Sequence, residues 1–256
     1  MLNDLQGKRV LITGSSSGIG AGVARKLAEA GARVVVHCHS NVQRAEALVA
    51  EINQARQGEA FLVQGDLSRS AEAEHVVNAA AELLGGLDIL INNAGSLVRR
   101  VPLAEIDDAS YDDVLNLNVR SYVMSSRVGA QHIVAAGGGA IISTSSIAAR
   151  HGGSIGAGLY GSAKAFISNF TRNMAKELAP NGIRVNAVSP GVIMTPFHER
   201  FSSKEFLETT RSTIPMQRLG TVDDCVGAYL FLASESMSGY ITGQIIEVNG
   251  GQLMPS

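Results

Sequence analysis

Thr13-Gly14-Ser15-Ser16-Ser17-Gly18-Ile19-Gly20 stands between the apolar run Val10-Leu11-Ile12 and the helix-forming run Ala21 to Ala30. A strand therefore turns through three glycines into a helix. Glycine accepts positive φ and lets the backbone approach a ligand with no Cβ in the way. The free N–H groups and positive dipole end of the new helix then face an anion. The stretch reads as a phosphate cradle whose natural guest is a nucleotide. Its spacing is G-x-x-x-G-x-G rather than G-x-G-x-x-G, and a purely structural turn would favour the same glycines. Gly14-Ser15-Ser16-Ser17-Gly18 also matches G-x-S-x-G, with Ser16 where a hydrolase elbow carries its nucleophile. Order argues against a hydrolase. The turn follows the first strand, and the last histidine, His198, lies in a segment with no strand pattern, so a late triad histidine has no good candidate.

Outward from this stretch, short β-branched runs alternate with longer amphipathic segments, the pattern of a parallel sheet covered on both faces. Seven strands are expected: Arg9 to Thr13, Arg33 to Cys38, Ala60 to Gln64, Asp88 to Asn92, Ala140 to Ser145, Arg184 to Ser189 and Gln244 to Val248. Helices lie between them. Gly31 ends the helix after the cradle, and Pro180-Asn181-Gly182 ends the one that begins near Tyr160. Right-handed crossovers make this a doubly wound α/β sheet of seven parallel strands. Residues 1–256 read as one catalytic domain. The stretch 195–215 has no strand pattern and is rich in Ser, Thr, Glu and aromatic residues, so helices projecting as a substrate lid are expected there.

Composition agrees with small-molecule chemistry. Of 256 residues, 45% are hydrophobic and 17% charged, enough apolar content for one large two-sided core. A net charge of −2 without blocks of like charge argues against nucleic acid or an anionic membrane as partner. Met1 to Lys8 is polar, and no run approaches the ~20 apolar residues of a membrane span, so a cytoplasmic protein is expected. Cys38 and Cys225 form no CxxC and read as reduced thiols.

Asn92-Asn93-Ala94-Gly95 ends the fourth expected strand, and Ser143-Thr144-Ser145-Ser146 the fifth; Tyr160 and Lys164 follow at i and i+4, one face of a helix. Each has a bland reading as a turn or a solvated surface. TGxxxGIG, NNAG, Ser, YxxxK, and Ser189-Pro190-Gly191 leading to Thr195 follow one another along the chain in an order that resembles the short-chain dehydrogenase/reductase family. The resemblance runs nearly the whole chain, through Tyr240-Ile241-Thr242-Gly243-Gln244 and Asn249-Gly250-Gly251.

The resemblance implies a Rossmann-like fold and an NAD(P)(H)-dependent oxidoreductase that moves a hydride between nicotinamide and a carbonyl or secondary alcohol. Tyr160 would be the acid/base. Lys164 would lower its pKa and hold the nicotinamide ribose, while Ser146, rather than Ser145, would bond the substrate oxygen. Asn118, rather than Asn116, matches the fourth catalytic residue, which holds a water in a proton relay. Gly14, Ser16, Ser17, Gly18 and Ile19 would line the pyrophosphate, Asp66 and Leu67 the adenine, and Asn92, Ala94 and Gly95 the adenosine ribose side. Pro190 and Gly191 would complete the cofactor wall, and Ile193 and Thr195 would fix the carboxamide. Asp66 alone would otherwise read as a helix N-terminal acid.

His37-Cys38-His39 suggests a metal at first sight, but in a strand the histidines share one face and Cys38 the other, with no second ligand group at a matching spacing. No metal is expected. Relatives that choose NAD carry an acid at the end of the second strand, where this chain has Cys38. NADP is therefore favoured, with His39, Ser40, Asn41 and Arg44 near the 2′-phosphate, although Ser17 replaces the arginine of many NADP users. NAD stays open. The resemblance also implies a homotetramer, paired through the long helices near Asp112 to Ala136 and Tyr160 to Ala179 and through the C-terminal strand with its preceding helix. It extends to 3-oxoacyl carrier-protein reductases, whose two carrier-docking cations align with Gly137 and Asn181 here. A free sugar, polyol or ketone is thus expected as substrate, with the segments Ser96 to Val101, His151 to Leu159 and Thr195 to Ile214 shaping its pocket. The alternatives are a carrier-bound acyl substrate and, from another class, a non-catalytic dinucleotide-binding regulator.

Overall fold

The computed structural model describes residues 3–56 and 60–254. The first half runs β1 (Arg9–Ile12), α1 (Gly18–Glu29), β2 (Arg33–Cys38), α2 (Val42–Arg56), β3 (Ala60–Gln64), α3 (Ser70–Leu84) and β4 (Ile89–Asn92). Then come α4 (Asp108–Leu115), α5 (Ser121–Ala135), β5 (Gly139–Thr144), α6 (Ala148–His151), α7 (Gly158–Leu178) and β6 (Ile183–Pro190). The chain closes with α8 (Pro196–Phe201), α9 (Lys204–Thr213), α10 (Val222–Ala233), α11 (Glu235–Ser238) and β7 (Ile245–Val248).

All strands pair in parallel, in the order β3-β2-β1-β4-β5-β6-β7. The order reverses between β1 and β4, and such a switch point opens a crevice at the carboxyl ends of the strands. Each expected strand lies within one residue of the observed one. The reason is burial on both faces. Val10, Ile12, Val34 and Val36 pack against α1, α2 and α10, whereas Leu11, Val35, Leu90 and Ile141 pack against α3, α5 and α7. Each such fully buried side chain contributes about 1.5–3 kcal/mol of transfer free energy.

Two details differ from expectation. α1 begins at Gly18, inside the glycine stretch, rather than at Ala21. The segment expected as one helix near Asp112 to Ala136 is α4 and α5 joined by a π-helical turn, Asn116–Arg120. In the stretch 195–215 the chain forms α8 and α9.

Candidate active site

A cleft of about 560 Å³ opens at the switch point. At one end lies the glycine turn. Gly14 has φ +63°, and a Cβ there would stand 2.8 Å from the Ala94 Cα. At Gly20 a Cβ would stand 2.5 Å from Asn93 Nδ2, so the third glycine lets α1 pack on the β4 loop. The turn is braced from both neighbours. Gly14 N donates to His37 Nδ1 at 2.9 Å, and Asn93 Nδ2 donates to the Thr13 and Gly14 carbonyls at 3.0 and 3.1 Å. Thr13 Oγ1 accepts the amides of Asn93 and Ala94, each at 3.0 Å. Ser17, the N-cap of α1, caps no amide with its side chain, and the first turn carries no acid. The helix end is left to an anion. Glycines at both ends of the cradle, uncapped amides and a cleft of this volume fit a dinucleotide.

His37 shows why its neighbourhood holds no ligand triad. Its Nδ1 accepts from Gly14, so Nε2 carries the proton and donates to the Gly65 carbonyl at 3.1 Å. Burial pulls its pKa down to about 4, keeping this bridge neutral. With Nδ1 occupied, His37 is no base for Ser16 either. Among the described residues, no cluster of three or more His, Cys, Asp or Glu side chains is arranged to hold a metal.

At the other end of the cleft stand Tyr160, Lys164 and Ser146. The i, i+4 spacing puts the first two on one face of α7, with Lys164 Nζ 5.5 Å from the Tyr160 ring centroid. Lys164 is buried and its Nζ donates to the Thr144 carbonyl, 2.8 Å away at the end of β5. Burial lowers its pKa to about 8. Burial likewise pushes the Tyr160 phenol up to about 12, opposed by hydrogen bonding with Ser146. Both shifts favour the uncharged form, the direction a dry site imposes. The expected depression of the tyrosine by the lysine is thus absent from the protein itself. Burial of the phenol sets the direction, and the Ser146 hydroxyl opposes it only in part. Ser145 turns away, its Oγ bonded to Ser168 Oγ at 2.6 Å and to the Lys164 carbonyl at 3.1 Å. Ser146 is left as the hydroxyl that reaches Tyr160.

The cleft also takes in Ser16, Ile19, His39, Asp66, Leu67, Ala94, Gly95, Pro190, Gly191, Ile193 and Thr195. Five expected residues fall outside its wall, among them Asn41 and Arg44 at the start of α2. Asn92 is the last residue of β4, and strand alternation sends its side chain to the α5 side, where Nδ2 donates to Ser126 Oγ at 2.9 Å. Asn93 faces the cleft in its place. Ser40 sits on the exposed turn into α2. Asn118 is fully buried. Its Nδ2 donates to the Ser96 and Val114 carbonyls, both at 2.8 Å, and its Oδ1 accepts the Ser96 amide at 3.2 Å. It borders the site at Gly95, where a Cβ would meet Asn118 Oδ1 at 2.7 Å and Lys164 Nζ at 3.0 Å. Sequence reasoning missed Asn93 and His37 as braces of the cradle. It also missed Gln252, which joins the far rim from the C-terminal segment.

A family model described as enoyl-(acyl carrier protein) reductase matches residues 14–252. The 3-oxoacyl-[acyl-carrier-protein] reductase of Synechocystis sp. is 34% identical over 244 residues, spanning 95% of this chain and 96% of the relative. Among solved structures, an NADH-dependent reductase, A1-R′, responsible for alginate metabolism, is similar with a TM-score of 0.90 at 43% identity, over 99% of this chain and 100% of its own. A short chain dehydrogenase from Burkholderia cenocepacia in complex with NADP has a TM-score of 0.89 at 35% identity, over 97% and 99% of the two chains.

Proposed function

The chain belongs to the short-chain dehydrogenase/reductase family, and from that premise we propose that Tyr160 exchanges the proton with the substrate oxygen in an NAD(P)-dependent oxidation or reduction. The group that reacts is a carbonyl or a secondary alcohol. One observation carries the reading: an uncapped glycine turn shares one cleft with a buried Lys164 and the half-buried Tyr160 and Ser146. When bound, the dinucleotide supplies the hydride chemistry. Ser146 donates to the substrate oxygen as charge builds there, and a dry wall strengthens that bond. Tyr160, protonated near neutral pH, delivers its proton to the same oxygen in reduction and takes it back in oxidation. Lys164 holds the ribose side of the cleft. Asn118 acts through Ser96 and Gly95 as a positioning residue, since its side-chain amide is committed to the main chain.

NADP is the preferred dinucleotide in this reading, because β2 ends in Cys38 without a carboxylate and His39 lies at the same rim. NAD is the second reading, favoured by the NADH dependence of the relative at 43% identity. The substrate is a free, polar carbonyl compound such as a sugar or polyol derivative. Among the described residues, its end of the cleft carries Arg100, His151, Ser154, Ser202, Thr210 and Gln252 and no acid, and the one cleft acid, Asp66, lies at the adenine end. A carrier-bound acyl group is the rival substrate, named for the Synechocystis relative. Gly137 and Asn181, both exposed and uncharged, argue against it. We read residues 1–256 as one catalytic domain and α8 with α9 as its substrate lid. Buried free thiols at Cys38 and Cys225 support a reducing, cytoplasmic setting. Exposed Tyr111, Val134 and Phe166 on α4, α5 and α7 support a homotetramer.

The test is a panel of free sugars, polyols, ketones and a 3-oxoacyl carrier substrate, followed by nicotinamide absorbance with both dinucleotides. Turnover of a free carbonyl that Tyr160→Phe abolishes is the expected result. Dinucleotide binding without turnover of any substrate would favour a regulator, and a higher kcat/KM for the carrier-bound acyl group would overturn the substrate reading.

A further inference from the structure

Val98 holds φ at +62°, the left-handed region that a β-branched residue enters only when its surroundings force it. The forcing groups are visible. Asn118 clamps both the amide and the carbonyl of Ser96, and Ser96 Oγ accepts the Val98 amide at 3.0 Å. Arg99 N closes the turn on the Leu97 carbonyl at 2.7 Å, and Val101 N anchors its exit on the Gly156 carbonyl at 2.9 Å. What this strained turn delivers is Arg100.

The Arg100 guanidinium spans the mouth of the cleft. On one side Nε and Nη2 donate to the Phe201 carbonyl, the last of α8, at 3.1 and 2.9 Å. On the other, Nη1 donates to Ser154 Oγ at 2.7 Å and to the Ile155 carbonyl at 3.2 Å. Four of the five N–H groups of an arginine are thus spent on protein acceptors, in a two-sided arrangement that a lysine cannot reproduce. α8 is also the helix that touches the acid/base. Phe197 packs on Phe201 with centroids 5.1 Å apart and on Tyr160 at 5.7 Å. Any movement of the Phe201 end is felt at the phenol.

We propose that Arg100 is a positioning residue that latches α8 to the 152–157 wall, so that the substrate end of the cleft has one width and Phe197 stays against Tyr160. The proposal rests on the reading that this end takes the carbonyl substrate. Direct capture of a substrate anion is the competing role for a cleft arginine, and the donor count speaks against it.

The experiment compares wild type, Arg100→Met, Arg100→Lys and Ser154→Ala as full-length proteins. Amide hydrogen exchange without ligand is expected to quicken about tenfold over residues 196–213 in Arg100→Met, less in Arg100→Lys and Ser154→Ala, with β1 and β4 unchanged. With cyclohexanone, or whichever uncharged ketone the wild type reduces fastest, KM should rise about tenfold and kcat fall several-fold as Phe197 loosens from Tyr160, while the dinucleotide KM stays within about twofold. Unchanged lid exchange overturns the latch, as does an equal increase in β1 and β4, or a KM effect confined to anionic substrates. If the wild type turns over no carbonyl compound, the proposed activity fails, and the exchange measurement still decides the latch.

Discussion

Replacing Lys164 with methionine is expected to stabilise the unliganded protein at pH 7 and to destabilise it above pH 10. Methionine keeps the length of the side chain and removes its charge and its donor. Burial takes the lysine pKa from 10.5 to about 8, and each unit is about 1.4 kcal/mol of differential interaction, so holding the ammonium in the fold costs about 3 kcal/mol. Against this, methionine leaves the Thr144 carbonyl without the Nζ donor that stands 2.8 Å away, a loss of about 1–3 kcal/mol. The net at pH 7 is a gain of about 1 kcal/mol for the variant. The pH dependence follows from proton counts. Between about 8 and 10.5 the unfolded chain keeps the lysine proton that the folded chain has released, so wild-type stability climbs with pH through that window. Above it the amine is neutral in both states, the burial cost is gone, and only the lost hydrogen bond separates the proteins.

Urea unfolding by far-UV circular dichroism, at equal protomer concentration and without dinucleotide, measures both ends of this window. Groups that titrate alike in both proteins cancel from the difference. A variant less stable at pH 7 by 2 kcal/mol or more, or a difference that does not change with pH, would refute the claim that Lys164 is held at a cost to the fold. Stability bought in this way should come with loss of turnover, since the same ammonium faces the ribose side of the cleft.

Tyr160→Phe keeps the ring against Phe197 and deletes only the phenol oxygen, so kcat should fall by at least ~100-fold while the dinucleotide Kd, read by fluorescence, stays within about threefold. Gly14→Ala forces a Cβ to 2.8 Å from the Ala94 backbone at φ +63°; urea unfolding should show a loss of about 1–3 kcal/mol, and calorimetry a dinucleotide Kd at least ~10-fold weaker. Cys38→Asp places a carboxylate at the end of β2, on the wall of the cleft; the ratio of kcat/KM for NADPH over NADH should drop by about tenfold or more, and a wild type already favouring NADH tenfold would sink the NADP preference. Light scattering at micromolar concentration should give a tetramer, and a stable monomer would leave the exposed Val134 and Phe166 without the proposed partner.

The parts of the fold that were readable from sequence are those where one residue's environment is set by many neighbours at once. A strand covered on both faces, such as Val34–Val35–Val36, has no polar option at any position, and the chain declares it as an unbroken apolar run. Positive φ at Gly14 and the stop at Gly182, φ +72°, are equally local demands that few residues meet. What escaped turns on a single rotation or on a distant acceptor. Asn92 and Asn93 are chemically identical, and only the register of β4 decides that the first bonds Ser126 while the second braces the cradle.

The ionisation of Tyr160 in the protein without dinucleotide escaped for a related reason. The i, i+4 spacing brings Lys164 near, but the sign of the shift depends on how dry the phenol is, and part of that dryness comes from Phe197 on α8. Arg100 is the limiting case. Its partners lie 54, 55 and 101 residues along the chain, and three of its four bonds go to main-chain carbonyls, which every residue possesses. An acceptor common to all twenty residue types leaves no mark on the sequence. The one trace of the latch is on the donor side, where a β-branched Val98 occupies a conformation that glycine or asparagine would adopt at less cost. Even that trace becomes visible only once the backbone is known. A residue that acts through main-chain acceptors is therefore found by following strain to what it positions.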